Sequence, residues 1–160
     1  MNKWLFLALT LALSPVPSFT QGKPVLVVQV FTTGTDVVLP YDMKQLQPQM
    51  VAEFKVLLGK DFEIASEAPA SPASHVYTVD AKITGWRAGN AAKRVLVGLG
   101  SGRESADVAY QVTDQTGKKV LDRSDTIRTN FASQGAGSTG TLAHPLATKI
   151  ADRIKEAKIK

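Results

Sequence analysis

The stretch His75-Val76-Tyr77-Thr78-Val79-Asp80-Ala81-Lys82-Ile83-Thr84-Gly85-Trp86 decides the fold class. Tyr77, Val79, Ala81 and Ile83 take every second place, with Thr78, Asp80, Lys82 and Thr84 between them. Successive side chains of an extended strand point to opposite faces, so this pattern describes a strand with one face in a core and the other in water. A helix would space its apolar residues three and four apart, which this stretch does not do.

Outward from that strand, Ser105 to Asp114 alternates in the same way, with Val108, Tyr110 and Val112 inward. Gln115-Thr116-Gly117-Lys118 supplies turn chemistry, and a second run follows from Lys119 to Arg128, so the pair reads as a β-hairpin. Asp122, Arg123, Ser124, Asp125 and Arg128 give the second run a polarity that suits a sheet edge. In the other direction, Asp61-Phe62-Glu63-Ile64-Ala65 is a short strand, separated from His75 by a surface loop containing Pro69 and Pro72. Pro24-Val25-Leu26-Val27-Val28-Gln29-Val30-Phe31 is apolar almost without interruption, as expected of a strand covered on both faces, and is placed centrally in the sheet.

Two segments carry the helical period instead. Met43, Leu46, Met50, Phe54 and Leu57 form one stripe, with Asp42 and Gln45 spaced as a capping box and Gly59 placed as the residue that ends the helix. Pro48 is discordant: the regular helix either begins near it or kinks there. Leu142, Leu146, Ile150, Ile154 and Ala157 form the second stripe, with Pro145 tolerable in the first turn. Residues 133–141, nearly all Gly, Ser, Ala and Thr, read as a mobile connection. The expected class is α+β: a mixed or antiparallel sheet of four to five strands with two amphipathic helices on one face, in the order β-α-β-β-β-β-α.

The first 20 residues read differently. Lys3, the apolar run from Trp4 to Leu13 and a Ser/Pro break have the order of a secretory signal peptide. The run is about half the roughly 20 apolar residues needed to cross a membrane, so cleavage is expected, after Ser18 or Thr20, with no transmembrane span in the mature chain. Residues 21–160 then form a single domain. Without cysteine there is no disulfide, no thiol nucleophile and no lipid-bearing residue, which makes the expected address periplasmic or secreted. A composition 44% hydrophobic and 21% charged is that of an ordinary globular chain. The formal charge of +5 includes Lys3, and the remaining excess is too small for a nucleic-acid footprint.

Between the two best strands lies a connection too long and too patterned for a plain hairpin loop. Arg87, Lys93, Arg94 and Arg103 place four cations there with no acid among them, and Gly98, Gly100 and Gly102 would let backbone N–H groups converge on an anion. These seven residues are the candidate contacts for a partner or anionic ligand. The glycines fit neither a phosphate loop nor a dinucleotide fingerprint. The competing reading is that Val95, Leu96, Val97 and Leu99 plug the sheet while the glycines permit tight reversal. His75 and His144 show no sequence partner for acid–base work or metal binding, so no catalytic residue, metal ligand or cofactor is assigned. Trp86 either covers the rim of the core or offers a cation–π platform.

The segment from Gly89 to Gly102, written G-N-x-A-x-R-x-L-V-G-x-G-x-G, followed by a strand and then Asp114-Gln115-Thr116-Gly117-Lys118-Lys119-Val120-Leu121, resembles the bacterial domain-of-unknown-function family 4410 across roughly residues 25 to 158. The resemblance implies an envelope protein, often a lipoprotein, with no assigned activity. The layout is also similar, at fold level, to small domains of envelope accessory lipoproteins and of the curli secretion channel. The expected role is a non-catalytic binding or accessory module for an envelope protein or an anionic polymer. The alternatives are a hydrolase or transferase with an unrecognised site and a ring-forming assembly component.

Overall fold

The computed structural model describes residues 22–39, 43–70, 75–88, 104–128 and 140–159. The sheet strands are β1 (Val25–Val28), β2 (Thr32–Thr33), β3 (Glu63–Ala65), β4 (Val76–Arg87), β5 (Ser105–Asp114) and β6 (Lys119–Arg128); the helices are α1 (Met43–Leu58) and α2 (Gly140–Glu156). The sheet order is β3-β1-β4-β5-β6, with β2 also paired to β4. β1 runs parallel to both neighbours, while β4, β5 and β6 form an antiparallel meander. The fold is α+β with a mixed sheet, as the patterning predicts, but among the described residues the sheet has six strands rather than four or five.

The extra strand comes from a break in the first apolar run. Leu26 and Val28 face the core, and strict alternation would send Val30 there too. Instead Val30 is half exposed and Phe31 is buried. Val28 pairs with Val79 and Thr32 with Lys82, so one extra residue is accommodated on the first strand and the phase reverses. The Gln47 side chain on α1 donates to the Val28 carbonyl at 2.7 Å, satisfying an acceptor at the interruption. Val25, Leu26, Val27 and Val28 are all buried, as expected of a strand covered on both faces, although β1 lies one place from the edge.

Both helices pack over one sheet face and against each other. On α1 the fully buried stripe is Leu46, Met50, Phe54 and Leu58, a strict four-residue spacing; Leu57, predicted for that stripe, is only partly buried. The helix runs through exposed Pro48. Gly59 ends it without a left-handed backbone: a Cβ there would stand 2.3 Å from the Lys55 carbonyl oxygen, so only glycine fits. Asp42, the predicted cap, lies outside the described residues. On α2, Leu142, Leu146, Ile150 and Ile154 are buried together with Ala143, Ala147 and Ala151, whose small side chains allow close approach. Ala157 is exposed beyond the helix end. Residues 133–139 of the predicted connection also lie outside the described residues. Among the described residues, no helix is long and apolar enough to cross a membrane.

The β5–β6 turn follows its sequence closely. Asp114 Oδ1 accepts from the Thr116 amide at 2.9 Å, the Thr116 hydroxyl at 2.6 Å and the Lys118 amide at 3.1 Å. Gly117 supplies the left-handed backbone at φ 81°.

Candidate functional site

Of the seven candidate contacts, the described residues contain Arg87 alone. Lys93, Arg94, Gly98, Gly100, Gly102 and Arg103 lie outside them. What the structure establishes is the foundation on which that connection stands. β4 and β5 are paired over almost their whole length, ending with Trp86 opposite Ala106 and Arg87 opposite Ser105. The chain therefore leaves β4 and re-enters β5 at adjacent points on two long strands.

A register shift between Ile83 and Gly85 shapes this foundation. Beyond it Trp86 sits opposite buried Ala106 and packs against the core, which selects the rim-covering reading over an exposed platform. Gly85 and Arg87 take the opposite, solvent face, beside Asp107 and Thr126. Arg87 Nη2 donates to Asp107 Oδ2 at 2.6 Å, and the Thr126 hydroxyl donates to Asp107 Oδ1 at 2.6 Å. The Thr84 hydroxyl donates to the Asp107 carbonyl at 3.1 Å. A Cβ at position 85 would lie 2.9 Å from Asp107 Oδ2, so glycine there lets the carboxylate settle over the strand. The hydrogen bond from Thr126, then that from Arg87, hold the Asp107 carboxyl below the usual carboxylate range despite some opposing desolvation. Arg87 is thus an engaged cation, where the sequence suggested an available one.

A second polar cluster sits between the sheet and α2. Tyr110 donates its hydroxyl to Asp125 Oδ2 at 2.6 Å, Arg153 Nη2 reaches Asp125 Oδ1 at 3.2 Å, and Lys149 Nζ stands 3.7 Å from the same oxygen. Arg153 also pairs with Glu156 at 2.7 Å. Partial burial pushes the Asp125 carboxyl upward, but the hydrogen bonds from Arg153 and Tyr110 and the charges of Arg153 and Lys149 outweigh it and hold it low. Burial, then the hydrogen bond and charge of Asp125, pushes the Tyr110 phenol far up, so it remains a donor.

The solvent face of the sheet also carries a depression of about 480 Å³ lined by Val30, Asp80, Lys82, Gln111, Lys119 and Asp122 among others. Its acids and cations balance, and Lys119 is already bridged to Asp122 at 2.9 Å, so it presents no net field to an anion. His75 is exposed at the start of β4. His144, for which the sequence showed no partner, has Nδ1 2.9 Å from Glu53 Oε2 on α1. That pair links residues 91 positions apart, which spacing along the chain could not disclose.

Sequence reasoning missed Asp107, Thr126 and Gly85 as parts of the site's foundation. Their only signal was a glycine interrupting an alternating strand, the usual mark of a bulge or a close approach.

Comparison with known proteins bears on the fold and the family. No curated protein matches the chain significantly. The fold is similar to a crystal structure of an uncharacterised protein, with a TM-score of 0.52 and 14% identity, covering 88% of this chain and 94% of that one. It is also similar to a PelC dodecamer from Paraburkholderia phytofirmans, with a TM-score of 0.51 and 11% identity, covering 88% and 92%. At such identities the likeness shows the fold alone. A family model described as a domain of unknown function, DUF4410, matches residues 42–133, and with more than half its length so matched the chain belongs to that family.

Proposed function

We propose that this protein is an exported, periplasmic module of the bacterial envelope that works by binding rather than catalysis, using the basic glycine-rich connection at residues 88–103 to contact an envelope protein or an anionic polymer. The observation that carries the reading is the pairing of Arg87 with Ser105 at the root of that connection. Two strands of twelve and ten residues hold both ends side by side, so the stretch of sequence carrying Lys93, Arg94 and Arg103 starts and ends at neighbouring points of the sheet. Exposed cations are individually weak and are screened beyond about 8 Å at physiological salt, so capture should need several of them and should weaken as salt rises.

Replacing Lys93, Arg94 and Arg103 together by Gln should weaken retention of inorganic polyphosphate and of envelope partners and flatten its salt dependence. The melting temperature should stay nearly unchanged, since solvated charges contribute little to folding. Equal capture with an equal salt profile would make the connection a structural plug. Export is checked on the same preparation: the intact mass of protein recovered from periplasm should lack roughly 18 to 21 residues.

A second reading, a ring-forming envelope component, is supported by the dodecameric assembly of the PelC neighbour. Native mass spectrometry of the mature chain separates the two, and a monomer at micromolar concentration rules out the ring.

A further inference from the structure

We infer that Asp107 is a built-in counter-ion that withholds Arg87 from anionic ligands, so that the anion-binding capacity of this end of the sheet is set by an acid on the neighbouring strand. The inference rests on the anion-binding reading of the adjacent connection and adds a residue that sets its specificity.

The argument begins with placement. Arg87 is the last residue of β4 and its side chain is 68% exposed, a position from which a guanidinium would ordinarily sample solvent and any passing anion. It is instead tied to Asp107 at 2.6 Å, a carboxylate that is itself only 34% exposed. An exposed pair between two mobile side chains is worth little because both must be ordered to form it. Here one partner is ordered in advance. Thr126 on β6 holds the far oxygen of Asp107, and the bare backbone of Gly85 on β4 gives the near oxygen room to lie against the strand. Three adjacent strands thus present a fixed carboxylate to one arginine, and a preorganised acceptor competes with a ligand far better than a mobile one.

The consequence is a threshold. A singly charged or dilute anion gains little by displacing Asp107, because it exchanges one carboxylate contact for another. A polyanion held by the connection under the proposed reading arrives at high effective concentration and can compete for Arg87. Removing the acid should lower that threshold, adding one cation to the binding surface without altering the fold.

Polyphosphate binding is measured across a salt series for wild type, Asp107→Asn, Arg87→Gln and the double variant. Asn keeps an oxygen for Thr126 and has nearly the shape of Asp. Asp107→Asn should tighten binding roughly fivefold at low salt and steepen the logarithmic salt dependence by about one counter-ion. The loss caused by Arg87→Gln should be several-fold larger in the Asp107→Asn background than in wild type, the signature of a cation released by the first change. Thr126→Val, which frees the far oxygen of Asp107 without removing its charge, should give a smaller gain in the same direction, about twofold, because the acid then competes as a mobile partner. A gain in Asp107→Asn that persists when Arg87 is also replaced would reflect net charge alone and would overturn the inference. So would the absence of any gain. Failure of the broader reading shows separately, as unchanged binding when Lys93, Arg94 and Arg103 are lost.

Discussion

Phe54→Ala should lower the unfolding free energy by about 3–5 kcal/mol, and Ile150→Ala by about 2–5 kcal/mol. Both side chains are fully buried in the same core cluster, one on each helix. Truncation removes the transfer free energy of the lost atoms and leaves a cavity that neighbours on the sheet and the other helix fill only partly. For a domain whose whole stability is of the order of 5–15 kcal/mol, either change takes a large share, and Phe54→Ala should visibly depress expression. Urea melts measure the effect. A loss below about half a kcal/mol would place these residues on the surface and refute the two-helix layer.

Asp125→Ala should cost about 1.5–3 kcal/mol, the range for hydrogen bonds to a charged group. Asp125 faces α2 from the edge strand with its side chain only 16% exposed, and its removal leaves the buried Tyr110 hydroxyl without its acceptor. The same carboxylate also contributes an acid-sensitive part of stability. Its pKa is lower folded than unfolded, so the contribution is complete above the unfolded value of about 4 and is lost as pH falls through the depressed folded value. Urea melts from about pH 7 to about pH 3 should therefore show a shallower acid decline for Asp125→Ala than for wild type. Parallel declines would mean that Asp125 titrates as it does in the unfolded chain. Asp107 and Asp114, also held low, act in the same direction in both proteins and do not alter the comparison.

Alternation made β4, β5 and the Asp114–Gly117 turn legible, because a half-buried hairpin writes its period and its turn chemistry directly into adjacent residues. The break after Val28 was not legible. Val30 and Phe31 are both apolar, and hydrophobicity alone cannot say which of two such neighbours turns inward when one residue is inserted. Asp125 was read correctly as part of an edge, but its pairing with Arg153 depends on where α2 lands, 28 residues later. The Arg87–Asp107 pair had the same difficulty: both residues were visible as charges, yet their meeting depends on a register that the irregularity beside Gly85 sets. The candidate cations in the connection were legible as charge and remain, as a group, a matter of sequence.

The position of β1 bears on how the chain comes to be folded at all. It is the first strand to emerge, yet it sits between β3 and β4, pairing Leu26 with Ile64 and with Tyr77, partners 38 and 51 residues further along. Parallel pairing across such separations incurs its loop-closure entropy before any ladder is made, whereas the β4–β5–β6 meander is joined largely by neighbours in sequence. The meander can therefore organise early, while the leading strand waits for it and for α1 to swing across. As the chain emerges N-terminus first, β1 lacks its full set of partners until Val79 has appeared, 51 residues beyond Val28, so its apolar side chains stay exposed over that interval.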